Sequence, residues 1–430
     1  MKRQVKSYLL FLLFITLLLF LILILCNLLP TSSIESHIEY AYVPNGRSNN
    51  ISVINTITNE IEYSVDVGAD PEGVAITQDG TRVYVTNSYL NNVSVIDTAT
   101  NNIITRVPVG HNPVGITASF DGKNVYVANF YSNNVSIIDT ATNIVKYRLD
   151  VETNPVGVAI NKNGTKVYVA NMGSSTVSVI DTLTRSVSES VRVRTNPYGV
   201  AVTPDGTKVY VTHANSDIVS VIDTETNNVT IINTGTGTES VDLSPSGVAI
   251  SPDGTKVYVV NHKRIIKGVS DTPSGIVSVI DTATNNVIAN VTVEKCPCGV
   301  SVNKNGTKVY VANSESNAVS VIDTATNNVI ANVPVGDMPS SLGQFIGSPP
   351  EVPEHNTVQE FSRSVIESID RIIRKVNDLI TGVQGFILGI ISTLFYGILS
   401  GSILPSITEK LEPKVRKRLK PTLDQMFKKK

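Results

Sequence analysis

An all-β wheel of seven four-stranded blades, a β-propeller, is the fold class that three features of this sequence predict. The first is self-similarity: Tyr84-Val85-Thr86-Asn87 returns 42 residues later as Tyr126-Val127-Ala128-Asn129. It returns again from Tyr168, Tyr210, Tyr258 and Tyr310, and Tyr42-Val43-Pro44-Asn45 precedes the series. The second is Val-Ile-Asp-Thr, or a near variant, with its third residue at Asn55, Asp97, Asp139, Asp181, Asp223, Asp281 and Asp323. The third, Pro-x-Gly-(Val/Ile), begins at Pro71, Pro113, Pro155, Pro197, Pro245 and Pro297, with Pro339-Ser340-Ser341-Leu342 a weakened seventh copy. Repeats of this length are what propeller blades are made of.

Within one repeat the elements follow in order. Gly-Val-Ala-Ile (157–160) is a strand of small residues suited to the crowded inner edge of the wheel. An Asp-Gly or Asn-Gly pair follows, as at Asp79-Gly80 and Asn163-Gly164, a strong short hairpin signal. Lys-Val-Tyr-Val-Ala is the second strand. Val-Ser-Val-Ile-Asp is the third, running into an Asp-Thr-x-Thr turn in which the aspartate bonds its own backbone. Val329–Gly336 is the outermost strand, and its Pro334 fits only an edge. The array opens on a second strand (Ala41–Pro44) and closes on a lone first strand (Ser341–Phe345). The wheel therefore spans residues 37–347, and its first blade is built from both ends of the array, which leaves no open seam.

At these residues the chain resembles the YVTN family of β-propeller repeats, whose tetrapeptide stands here as Tyr84–Asn87. The resemblance covers residues 40 to 347 and implies a cell-surface protein, archaeal-envelope or surface-layer-like, with no catalytic motif to carry over. Trp-Asp repeats are excluded, because the chain has no tryptophan.

Composition narrows the function. A formal net charge of −2 argues against a nucleic-acid binder held by phosphate contacts. With 17% charged and 41% hydrophobic residues, the chain is no disordered polyelectrolyte. Three cysteines exclude a disulfide-stapled scaffold, and five histidines leave little material for a His-rich metal centre.

The ends predict membrane placement. Residues 1–7 carry Lys2, Arg3 and Lys6, and residues 8–29 are apolar apart from Thr16, Cys26 and Asn27, long enough to cross a bilayer as a signal anchor. After a Pro-rich linker (348–356) comes an amphipathic helix (357–378), a charge-free second span (379–404) and a basic amphipathic tail (405–430) suited to anionic lipid head groups. The positive-inside rule then puts both termini in the cytoplasm and the propeller outside. Gly385-x3-Gly389 and Gly397-x3-Gly401 suggest a homo-oligomer through the C-terminal helices.

No catalytic, cofactor or metal residue is assigned. His111, His213 and His262 are read as loop residues on one face. Cys296 and Cys298 are read as local substitutions: a redox or metal role would need partners that no nearby motif supplies, and outside the cell the pair could also form a strained local disulfide. Asn50, Asn92, Asn134, Asn163, Asn228, Asn290 and Asn305 stand in Asn-x-Ser/Thr sequons, candidates for glycosylation if the wheel lies outside. The interval from Asp223 to Asp281 is 58 residues, sixteen longer than the repeat. This predicts two loop insertions, near 232–241 and 262–275, that bring His262, Lys263, Arg264 and Lys267 beside Tyr198 from the preceding loop as a partner-binding surface. The favoured function is a non-catalytic, membrane-anchored module binding an unknown extracellular protein or glycan. The alternative is a lactonase- or lyase-like enzyme acting at the central funnel.

Overall fold

The computed structural model describes residues 39–235, 241–265 and 275–348. Both predicted spans, the Pro-rich linker after residue 348, the amphipathic helix, the basic tail and Lys267 lie outside the described residues. Among the described residues no helix is long and apolar enough to cross a membrane.

The described strands form seven four-stranded antiparallel sheets. Blade 1 joins Ile346–Gly347 to Tyr40–Asn45, Asn50–Asn55 and Glu60–Asp66. Blade 2 runs from Pro71–Ile76 through Arg82–Asn87 and Asn92–Asp97 to Asn102–Pro108. Blades 3 to 7 repeat that order from first strands beginning at Pro113, Pro155, Pro197, Val241 and Pro297.

Burial explains the repeat. Lys166–Asn171 and Thr176–Asp181, the two middle strands of blade 4, are buried on both faces between their end residues, because each sheet is sandwiched between two neighbours. Only a continuous run such as Val-Tyr-Val-Ala suits that position. The outermost strand, Asn328–Pro334 in blade 7, alternates exposed and half-buried residues as a one-sided edge should. The repeated tyrosine adds a polar tip to the interblade core. Tyr84 Oη donates to Asn143 Oδ1 of the next blade at 2.8 Å, and Tyr210 Oη does the same to Asn285 at 2.8 Å. Tyr310 in blade 7 reaches Thr56 O (3.2 Å) and Asn59 Oδ1 (3.3 Å) in blade 1, so the same device closes the ring.

The aspartates hold turns, as the sequence predicts. Asp139 Oδ1 accepts from Thr142 N (2.9 Å) and Thr142 Oγ1 (2.7 Å), and Asp223, Asp281 and Asp323 repeat the pair. The threonine hydroxyl and amide bonds hold the carboxyls of Asp223, Asp281 and Asp323 below the usual range. Asparagines at 101, 143, 227, 285 and 327 close these turns with φ near +55°, a region asparagine tolerates.

Two expectations change. The closing strand is not Ser341–Phe345: only Ile346–Gly347 pairs as a strand, opposite Ala41 and Tyr40, with a bridge between Pro339 and Asn45. Between them Phe345 O accepts from Tyr42 N and the chain bulges through Gly343, so the seventh inner strand is the most irregular. The insertions in blade 6 are not two independent loops either. Val241–Ser244 pairs with His262–Ile265, which extends the inner hairpin as a β-ribbon beyond the length of the other blades.

Candidate active site

The Pro-x-Gly motif determines what sits at the axis. A Cβ on Gly115 would lie 2.1 Å from Val156 O, and one on Gly157 would lie 2.3 Å from Tyr198 O. Neighbouring inner strands therefore approach backbone to backbone, and glycine is required where they do. The residue before each of these glycines, and Ser340 at the matching place in blade 1, lies toward the face carrying the second-to-third and fourth-to-first strand loops. Around the axis these residues are Ser340, Glu72, Val114, Val156, Tyr198, Ser246 and Cys298, from blades 1 to 7 in turn. Two valines in adjacent blades make an apolar arc, and the other five positions make a continuous polar one.

Glu72 is the single carboxyl in this ring. Burial, and then the nearby carboxylate of Asp70, push its pKa up to about 7, against a smaller opposing pull from the Ser88 hydroxyl. Ser88 in turn is fixed, donating Oγ–H to Asp70 Oδ2 at 2.7 Å and N–H to Asp70 O at 3.0 Å. Tyr198, three blades round, has its hydroxyl pKa raised first by burial and then by the charges of Glu72 and Cys298, so it holds its proton. Cys298 donates Sγ–H to Pro339 O at 3.1 Å, and burial pushes its thiol up to about 12, which makes it a poor nucleophile. Ser246 and Ser340 donate to ring carbonyls, to Pro297 O (3.3 Å) and Pro71 O (3.4 Å) respectively.

The blades that carry Glu72 and Tyr198 share a second departure from the repeat. Thr86 and Thr212 occupy a second-strand position that is alanine in blades 3, 4 and 7 and valine in blade 6. Thr86 Oγ1 accepts from Gly73 N (2.8 Å) and donates to Val114 O (2.9 Å), and Thr212 Oγ1 does likewise to Gly199 N (2.8 Å) and Ser246 O (2.5 Å). Each hydroxyl clamps the backbone next to Glu72 or Tyr198 against the following blade.

The partner-binding residues read from the sequence do not gather as expected. Tyr198 is not in a loop but is the second residue of an inner strand. His262 pairs in register with Ser244, Lys263 with Leu243 and Arg264 with Asp242, along the ribbon of blade 6. His213 is not a loop residue but replaces the buried asparagine ending the second strand, with Nδ1 3.0 Å from Thr195 O and Nε2 2.7 Å from Ser220 Oγ. His111 does lie in an exposed loop. Among the described residues no group of three or more His, Cys, Asp or Glu could hold a metal ion, and Cys296 and Cys298 are free thiols. Of the sequon asparagines, Asn50, Asn92 and Asn134 accept from Asn45, Asn87 and Asn129 at 2.8 Å. Asn163 and Asn305 hold their own turns, Asn290 accepts from Ser278 Oγ, and Asn228 is exposed.

Comparison with known proteins bears on this ring. A profile described as YNCE-like beta-propeller matches residues 116–238, and one described as Lactonase, 7-bladed beta-propeller, matches residues 208–335. No curated protein sequence matches the chain. Among solved structures, a candidate 6-phosphogluconolactonase from Bacteroides fragilis is 16% identical with a TM-score of 0.59, covering 74% of this chain and 99% of that one. A periplasmic gluconolactonase of Pseudomonas aeruginosa is 17% identical with a TM-score of 0.59, covering 72% and 100%. A Kuenenia stuttgartiensis hydrazine synthase chain is 22% identical with a TM-score of 0.56, covering 63% and 88%. At these identities the structures share the fold. The expectation of a non-catalytic module is overturned by the match to the lactonase profile. The chain is a seven-bladed β-propeller, parts of whose repeat array are similar to YNCE-like and lactonase propeller profiles.

Proposed function

We propose that the chain is a lactone hydrolase acting at the axial ring, with Glu72 as general base. The observation that carries this reading is the single ring carboxyl with a pKa near neutrality, on a wheel whose residues 208–335 match a lactonase profile. A general base works best when its pKa lies near the working pH. Ionised Glu72 takes a proton from water, and the water oxygen forms a bond to the lactone carbonyl carbon. The ring C–O bond then breaks, and the Glu72 carboxylic acid returns the proton to the departing alkoxide, so that one water is added overall. Tyr198, held protonated, donates to the carbonyl oxygen as charge develops there. The valine arc gives the ligand one dry side.

In this proposal the wheel works outside the cell membrane, carried by the segments 8–29 and 379–404, with both termini cytoplasmic. The support for that placement is the basic flank at Lys2, Arg3 and Lys6 and the basic tail.

The test is hydrolysis of glucono-1,5-lactone by the full-length chain, measured above the spontaneous rate in the same buffer. Glu72→Gln should lower kcat by about 100-fold or more, the usual size of a general-base contribution. Tyr198→Phe should also lower kcat, by about tenfold, for one lost donor. Full activity in Glu72→Gln would remove Glu72 from the mechanism.

A further inference from the structure

A seven-fold repeat is its own alignment, so departures from it can be compared blade by blade. The loop between second and third strands is Gly46-Arg47-Ser48-Asn49 in blade 1, Met172-Gly173-Ser174-Ser175 in blade 4, Ala214-Asn215-Ser216-Asp217 in blade 5 and Ser314-Glu315-Ser316-Asn317 in blade 7. Blades 2 and 3 differ, with Ser88-Tyr89-Leu90-Asn91 and Phe130-Tyr131-Ser132-Asn133. No other loop of this set contains Phe or Tyr. Tyr89 is 80% exposed and Tyr131 70%, so neither ring serves the core. Phe130 packs edge-on to Tyr131, with ring centroids 5.0 Å apart, and so fixes the second platform.

The two loops are tied into one stretch of rim. Asn112 N donates to Asn91 Oδ1 at 2.9 Å, on the side of Tyr89. On the other side Tyr131 N donates to His111 O at 3.2 Å and His111 N to Ser132 Oγ at 2.8 Å. The stretch also starts at the proposed active site, since Ser88, the residue before Tyr89, is hydrogen-bonded to Asp70 and lies against Glu72. From Glu72 outward, then, come exposed tyrosines, a histidine and a serine hydroxyl, beside the ring's valine arc.

We propose that this rim is a subsite for a pyranose ring carried on the lactone, so that the substrate is a glycosylated aldonolactone and not a single-ring one; the proposal rests on the reading of the ring as a lactonase site. A pyranose presents C–H groups on its faces and hydroxyls at its edge. That pattern suits a tyrosine face bordered by the exposed His111 and the half-buried Ser132 hydroxyl, whereas a wholly apolar partner would have to strip water from that polar border. Continuity with Glu72 selects a substituent of the substrate over an independent ligand.

The experiment compares glucono-1,5-lactone with cellobiono-1,5-lactone, which adds a glucosyl group at O4, on the full-length chain. Wild type should prefer the larger lactone by about tenfold or more in kcat/KM, and Tyr89→Ala with Tyr131→Ala should abolish that preference. Equal kcat/KM for the two lactones in wild type overturns the subsite while leaving the lactonase reading standing. Calorimetric titration with cellobiose separates the opposite failure. If neither lactone is hydrolysed, cellobiose binding lost in the double variant still supports the pyranose site, and absence of cellobiose binding overturns it.

Discussion

The second and third strands and the inner ring are built on opposite rules. Val-Ser-Val-Ile-Asp recurs unchanged in blades 2, 4, 5, 6 and 7, while the residue before the ring glycine is Glu, Val, Val, Tyr, Ser and Cys in blades 2 to 7 in turn. The first region is sandwiched between blades, so every position answers to the same packing and the sequence converges. In the second, it is the backbone that meets the neighbouring blade in the same way each time, so the side chain before the glycine is free to differ. In a repeat protein, sameness reports the scaffold and difference reports where the scaffold is used.

The sharpest way to break that comparison is to disturb the ring's backbone contact and a turn of the same type of residue elsewhere. Gly115→Ala places a methyl 2.1 Å from Val156 O and should cost about 3 kcal/mol, an overpacking penalty with little room to relax. Gly164→Ala, where no atom lies within 4 Å, meets only its φ of +73° and should cost about 1 kcal/mol. Urea unfolding of both variants checks the order; equal costs would mean the inner strands do not approach as described.

A smaller effect tests the one departure inside a middle strand. His213 stands where the other blades have asparagine, and burial holds its pKa below 6.5. The unfolded chain takes up a proton that the folded one refuses, so stability falls as pH drops from about 6.5 toward the depressed folded value. His213→Asn should remove that loss, making the variant relatively more stable at pH 5 than at pH 8 by roughly 1 kcal/mol. Denaturant midpoints at the two pH values measure it, and an unchanged pH dependence would show that His213 is not the titrating group.

The same contrast explains what could be read from the sequence. Blade count, strand order and turn chemistry were legible because Tyr-Val-x-Asn, Val-Ile-Asp-Thr and Pro-x-Gly repeat wherever the same contact repeats. The ring was not, because it differs from blade to blade only by single substitutions at fixed repeat positions, which leave the repeat length unchanged, unlike the 58-residue interval. The usable signal lay in the self-alignment: one glutamate at the Pro-x-Gly position, with threonine at 86 and 212 in the blades of Glu72 and Tyr198. Tyr198 looked like a loop residue because Pro197 reads as a turn, whereas here proline opens the innermost strand. His213 looked like a loop residue for a related reason: nothing in the tetrapeptide reveals that its last side chain turns inward onto Ser220. The ribbon of blade 6 needed the pairing of Asp242 with Arg264, a contact between two insertions that no local pattern encodes.

The central claim is that Glu72 works as a base because the ring and Asp70 raise its pKa. The direct measurement is the pH dependence of kcat/KM for lactone hydrolysis in wild type and Asp70→Asn. Wild type should gain activity as pH rises through an apparent pKa of about 7, since the base acts only when ionised. Removing the Asp70 charge relieves one cause of the shift, so the rising limb should move to lower pH in the variant. A rising limb that stays in place in Asp70→Asn, or that survives in Glu72→Gln, would contradict the account.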